Sequence, residues 1–384
     1  MYFLQRVSRL IKATAALAAL STTTCSVGAE PNNKYLDFKD FGHSSFSKVN
    51  YSSKSESAVL EAFFFLQDNA EKIFSSPLDF FEAQGYDFLS SKVNHEIMRA
   101  FEKVPFLAST SLNVSFASGA SPAISLNSLL SLKTFKGSNP GSLKGIIFSQ
   151  HRFERAYKKD GSTLNTGLGA RFEVNKDTVF GVNGFWDYRI MTSYSSHSRF
   201  GLGAEIWHKN FDIVNNWYFP GTKTKTISDS STETVYERVV PGWDAKLTFS
   251  LGADSQISTY VRGFRWDYHS TSDNSGIALG MNWQALPDLN INFDVSNEIP
   301  SHITYAKPNL GENIYARVNF TWTFDRIKNS PNSTLAPSAL SSMIRPVDRK
   351  YQVKLERYSV AKETNSSSSS SPSSFNVKVS ASGN

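Results

Sequence analysis

The chain has 384 residues and a single cysteine, Cys25, which lies close to its start. A mature chain beginning after it carries no thiol to mispair, which suits a protein that crosses an oxidising compartment before folding. The preceding Thr-Thr-Thr lacks the aliphatic residue of a lipidation signal, so Cys25 is not expected to carry a lipid. Beyond residue 20 no apolar run is long enough for a membrane helix; helical spans are excluded, barrel strands are not. Proline is scarce, 14 against 29 phenylalanines, and with 40% hydrophobic and 13% aromatic residues the composition excludes a chain disordered throughout. The phosphate-loop pattern GxxxxGK[ST] is absent, as are CxxC and HExxH, so no cofactor or metal is expected. Positive charge is modest: removing residues 1–29, which hold three cationic residues and no acidic ones, takes the formal balance from +6 to +3. With no clustered basic stripe, nucleic acid is not expected as a partner.

What is present begins with a secretory signal. Arg6, Arg9 and Lys12 precede the apolar stretch Ala13–Leu20, and the small residues Val27–Ala29 place cleavage between Ala29 and Glu30. Residues 30–55 are polar and Ser-rich. From Glu56 to Val104 the apolar residues take three- and four-residue spacing, punctuated by Pro77 and Pro105, which predicts a short helical segment ahead of the main domain.

From Ser109 to Phe324 the period changes to two. Leu164, Leu168, Ala170 and Phe172 share one face, and Asn165, Gly167, Gly169 and Arg171 the other. The pattern recurs with Phe200, Leu202, Ala204 and Ile206 against Arg199, Gly201, Gly203 and Glu205. Successive strand side chains point to opposite faces, so each strand has a greasy side and a polar side. Charged and amide groups in mid-strand beside glycine fit a wet lumen better than a soluble sandwich. Twelve such segments succeed one another, about 109–117, 122–132, 143–153, 163–173, 178–188, 199–208, 211–219, 242–251, 257–268, 275–284, 289–297 and 313–324. Most connections after the even-numbered ones are short, while long polar loops such as Pro220–Gly242 and Glu298–Glu312 come after odd-numbered ones. The pattern predicts an all-β, twelve-stranded antiparallel transmembrane barrel with its long loops outside the cell. Arg171, Gly201, Gly203, Glu205, Lys246 and Arg265 are expected to face its lumen. The aromatic runs Gly184–Tyr188 and Gly263–Tyr268 are expected at the outer membrane boundary, where rings with a polar edge are favoured. Phe320, Trp322 and Phe324 alternate along the last strand in the manner of a signal read by the barrel-assembly machinery.

The run from Thr163 to Tyr188, with "SRFGLGAEIWHKNFDIVNNWYFPG", "PGWDAKLTF", "GIALGMNWQALPDLNINFDV" and "YARVNFTWTFDR", resembles the translocation domain of inverse autotransporters, the intimin and invasin family. The resemblance covers roughly residues 109–358 and includes "RPVDRKYQVKLERY", Arg345–Tyr358. It implies a signal at 1–29, a periplasmic leader at 30–108, a barrel at 109–325, a linker at 326–358 that returns through the pore, and a short surface tail at 359–384. It also marks Trp207 as adjoining a periplasmic turn, and Arg349 and Glu356 as a motif after the linker. The implied partners are outer-membrane lipid, the barrel-assembly machinery, periplasmic chaperones and a host-surface receptor, with a role in adhesion. Two departures stand out: the leader has no convincing peptidoglycan-binding repeat, and after Tyr358 there is only a Ser-rich stretch of linker composition. The segment Asp325–Arg345 is long enough to cross an apolar band of about 25 Å as helix or extended chain, and Pro337 could open a short helix. Two other functions stay open at this point: a porin-like channel, and an outer-membrane hydrolase using His151, His197, His269 or His302 with Asp187 or Asp267.

Overall fold

The computed structural model describes residues 107–362, apart from 119, 121, 138–142, 157–160, 176, 191–194, 252–255, 300–302, 306–313 and 326–342. Cleavage at Ala29–Glu30, the helical leader, the helix from Pro337 and the Ser-rich tail fall outside the described residues.

Among the described residues the strands run, in chain order, β1 (Leu107–Ala117), β2 (Ala123–Lys136), β3 (Leu143–Ala156), β4 (Ser162–Asn175), β5 (Thr178–Ile190), β6 (His197–His208), β7 (Phe211–Pro220), β8 (Lys225–Asp229), β9 (Glu233–Val239), β10 (Gly242–Ser250), β11 (Ile257–Trp266), β12 (Asn274–Leu286), β13 (Leu289–Ser296), β14 (Ile303–Tyr305), β15 (Tyr315–Asp325) and β16 (Leu355–Ala361). Twelve of them, β1 to β7, β10 to β13 and β15, close into an antiparallel barrel. Successive barrel strands pair with each other, and β15 closes on β1 from Ser109↔Asp325 to Ala117↔Arg317. Closure leaves no open strand edge in the barrel.

Burial is inverted relative to a water-soluble sheet. Along β6 Phe200, Leu202 and Ile206 are exposed on the outer face, while Arg199, Gly201, Gly203 and Glu205 are buried. On β4 Leu168, 60% exposed, lies outside, whereas Arg171, 0% exposed, lies inside. A belt of outward Leu, Phe, Ile and Trp is untenable in water and is what hydrocarbon requires. The short-turn rim carries the β4–β5, β6–β7 and β12–β13 connections, each two residues long.

The long-loop rim differs from the expectation of plain loops. The connection after β7 holds the β8–β9 hairpin, and the connection after β13 holds β14. After the barrel, β16 joins them in a sheet ordered β14-β16-β9-β8. The alternating "TVYERV" of β9 carries a strand signal that its charged and polar surroundings hide.

Candidate functional site

Asp325 ends β15 at the short-turn rim, whereas β16 lies in the sheet on the opposite rim. The described residues between them, 343–354, rise through the lumen. They climb in order: Met343 meets Arg171 and Arg345 pairs with Asp212 near the lower rim, Arg349 pairs with Asp187 midway, and Val353 meets Arg189 near the top.

An extended chain surrounded by protein at membrane depth must have its backbone groups bonded, and among the described residues it has no sheet neighbour to do this. The barrel wall supplies side-chain donors instead. Arg171 donates to the carbonyls of Met343 (2.8 Å) and Arg345 (2.5 Å), Asn216 to that of Asp348 (3.1 Å), and Asn165 to that of Tyr351 (2.9 Å). Arg199 donates to the carbonyls of Lys350 (2.6 Å) and Gln352 (3.0 Å), and Arg189 to that of Val353 (2.8 Å). Backbone N–H groups are met by Gln150, whose Oε1 accepts from Val347, and by the Tyr218 hydroxyl, which accepts from Lys350.

The central lock is Asp187. Its Oδ1 and Oδ2 each accept at 2.8 Å from Arg349, Oδ2 accepts from Arg199 Nε at 2.8 Å, and Oδ1 accepts from Asn165 at 2.7 Å. The Arg349 guanidinium lies 4.2 Å from the centre of the Phe185 ring. Lower down, Arg171 pairs with Glu205 at 2.8 Å and lies between Phe148 (4.4 Å) and Trp207 (4.2 Å), while Arg345 covers Trp207 at 4.3 Å. At the top, Glu298 gathers Arg262 (2.5 Å), Lys350 (2.7 Å), Lys354 (3.5 Å) and the Trp266 Nε1–H (3.0 Å).

The chain packs against one wall and leaves the other open. Beside it is a cavity of about 630 Å³. Its far wall is a ladder of amides and hydroxyls, including Asn113 to Thr321 (2.7 Å), Asn292 to Asn282 (2.7 Å) and Asn319 to Asn292 (2.9 Å). The lining extends from Thr323 and Gln284 near the short-turn rim up to Arg262, but does not include Trp266 or Glu298 above it.

The expected lumen residues divide. Arg171, Glu205 and Lys246 face inward, Lys246 reaching Asp348 at 2.8 Å. A Cβ on Gly201 would collide with the Arg349 guanidinium, and one on Gly203 would come within 2.6 Å of Asn183 Oδ1, so both glycines make room for inward groups. Arg265 is a correction: it lies outside on the rim, half exposed, paired with Asp267 (3.0 Å) and Asp273 (2.6 Å). Tyr260, Arg262, Phe264 and Trp266 hold the inward parity of β11, and Arg265 falls on the other. The same parity corrects the aromatic runs. Phe185, Phe264 and Trp266 turn inward and bury, and only Trp186 and Tyr188 stack with each other on the outer face, at 5.4 Å. Phe320, Trp322 and Phe324 take the parity of β15 opposite the cavity-lining Arg317, Asn319, Thr321 and Thr323; Trp322 and Phe324 are buried there, and Phe116 of β1 is edge-on to Phe320. Trp207 lies two residues before the β6–β7 turn.

Glu356, the second residue of the post-linker motif, accepts from the His269 and Ser270 N–H groups (2.8 and 2.7 Å) and the Ser270 hydroxyl (2.7 Å), and pairs with Arg238 at 3.0 Å. Next to it Glu237 accepts from Arg357, His197 (2.9 Å) and Ser195 (3.0 Å). Ser195 and Glu237 both meet His197 at Nε2, whereas a proton relay needs its serine and carboxylate on opposite ring nitrogens. Asp187 has both oxygens engaged by the linker and the wall, His269 lies tilted against Tyr358 at 5.1 Å, and His302 lies outside the described residues.

Burial raises the pKa of Glu237, but hydrogen bonds from His197 and Arg357 and the Arg357 charge more than cancel this and hold it below the ordinary 4.5. A depressed folded value means the carboxylate's stabilisation is complete above 4.5 and is lost as pH falls through the folded value. The outer sheet is expected to loosen on acidification below 4.5, read as protease nicking within β16 in intact cells that is low at pH 7 and rises sharply after an acid pulse.

The family model described as inverse autotransporter, beta-domain, matches residues 61–351. An attaching and effacing protein homolog of Escherichia coli K12 is 31% identical over 112 residues, 29% of this chain and 36% of that protein. The inverse autotransporter adhesin YeeJ of the same strain is 31% identical over 109 residues, 28% of this chain and 4% of that protein. The chain thus spans about a third or less of the length of these relatives. Among solved structures, a chain from a study of in-meso crystallization of membrane proteins is 19% identical, with a TM-score of 0.49, covering 65% of this chain and 99% of that one. With a closed twelve-stranded barrel and a match over most of its length, the chain belongs to the inverse autotransporter β-domain family and is a β-barrel of the outer membrane.

Proposed function

We propose that this barrel anchors and exports its own C-terminal segment, holding residues 343–354 in the pore and presenting β16 and the residues after it outside the cell. The observation that carries this reading is the ordered climb of Met343, Arg349 and Val353 from the lower rim to the outer sheet, with their contacts supplied by the wall. The role is non-enzymatic: many of the charged groups of the lumen are engaged with the chain they hold, and energy for passage comes from folding and docking. A contribution to surface adhesion or host interaction is drawn from the name of the adhesin relative, with a host-surface receptor as partner. Assembly would use the barrel-assembly machinery and periplasmic chaperones, with Phe320, Trp322 and Phe324 as the strand signal.

The test is an epitope tag after Asn384. Intact cells are expected to bind the antibody and to lose the signal to external protease. A tag detectable only after the outer membrane is permeabilised would sink export and leave a barrel without an exposed passenger.

A further inference from the structure

We infer that the β8–β9 hairpin is the acceptor that captures the outgoing segment 355–361 by edge-to-edge pairing, and that this capture is the outer stop against its sliding back. The inference rests on the export reading.

The hairpin belongs to the β7–β10 connection and β14 to the β13–β15 connection, so both are delivered to the rim by barrel closure, without any contribution from β16. Without β16, β9 would present an unpaired strand edge, a ready template for an extended peptide. β16 occupies that edge antiparallel, from Leu355↔Val239 to Ala361↔Glu233, and β14 lies parallel to its start, Ile303↔Leu355 to Tyr305↔Arg357. The arriving strand is thus the centre of the sheet, and the loops supply both sides.

The two regions differ in how firmly they fix position. Much of the lumen contact is from wall donors to carbonyls, and every residue of a sliding chain brings another carbonyl. The outer sheet reads side chains. Arg357 meets Glu237 in a buried pair, Glu356 fills the N–H groups of His269 and Ser270, the Tyr358 ring lies 5.5 Å from Tyr236, and Lys362 reaches Asp229 at 2.7 Å. A slip by one residue would turn each of these to the opposite face of the sheet. The emerged strand therefore adds its own fix on register to the side-chain pairs of the lumen, Arg349 with Asp187 above all.

The experiment uses the full chain with the tag after Asn384, pulse-labelled in living cells, monitoring surface exposure by external protease and barrel folding by heat-modifiable mobility. Arg357→Glu sets two carboxylates together in a buried pair; Tyr358→Pro removes a ladder donor without touching the barrel. Both variants are expected to fold the barrel at the parental rate and to expose the tag about tenfold more slowly. Adding Glu237→Lys to Arg357→Glu restores opposite charge and should recover most of the rate. Parental kinetics in both single variants, with the barrel folded, would overturn the capture. A parental tag that never reaches the surface overturns the export reading itself, and the inference with it.

Discussion

Asp187→Ala is expected to unseat the linker. The variant leaves Arg349 and Arg199 facing one another without the carboxylate between them, and deprives Asn165 of one of its two acceptors, in a buried site. Removing one partner from a buried, fully hydrogen-bonded charge pair costs about 3–5 kcal/mol. The barrel itself is held by its ladder and should still form, so the loss falls on the chain inside it. Two measurements separate these effects: heat-modifiable mobility should persist with a lowered melting temperature, and cleavage within 343–354 by protease added to detergent-solubilised protein should rise. Asp348→Asn is the control. Its side chain is 53% exposed and, among the described residues, its direct ion pair is with Lys246, so the expected change is within about 1 kcal/mol. Equal effects of the two substitutions would show that Asp187 is not the lock.

Glu298→Gln should open the top of the pore. One carboxylate there answers Arg262, Lys350 and Lys354, and with Trp266 it lies above the lining of the amide-rich cavity. A neutral amide leaves three cations gathered about it, at a cost of the same order, about 3–5 kcal/mol. Since the cavity already reaches nearly to this layer, displacing it joins water on the two sides. Purified variant in a planar lipid bilayer is expected to show stable ionic conductance well above the parental barrel. Silent membranes, with the variant inserted and folded, would mean that the seal lies elsewhere.

The barrel was largely legible in the chain because lipid on one side and polar groups on the other impose period two with little ambiguity. All twelve segments have counterparts in the structure, most within a few residues, and the inward parity of Arg171, Gly201, Gly203, Glu205 and Lys246 can be read from composition alone. β11 shows where composition fails. Its two faces carry Arg262 and Arg265, and the aromatic residues Phe264 and Trp266 take the side that a lipid-facing ring would suggest is wrong. Packing decides: Trp266 stacks on Tyr218 at 5.3 Å and donates to Glu298, partners distant in sequence. A one-residue change of parity flips a whole strand, so a single wrong anchor misplaces every side chain on it. The outer sheet was hidden for a related reason, since β16 becomes a strand only by meeting β9. The family resemblance marked Arg349 and Glu356; their partners Asp187 and the N–H groups of His269 and Ser270 are a matter of three-dimensional proximity.

Recognition through carbonyls has a bearing on how such a protein can diverge. Arg171, Arg189, Arg199, Asn165 and Asn216 bind a feature that every amino acid possesses, so through these donors the wall senses chain direction and height more than identity. Mutation can therefore rewrite much of the threaded stretch while the wall stays fixed. The lumen works as a sheath that grips the backbone and reads some of the side chains inside it, Arg345 against Asp212, Asp348 against Lys246, Arg349 against Asp187 and Lys350 against Glu298.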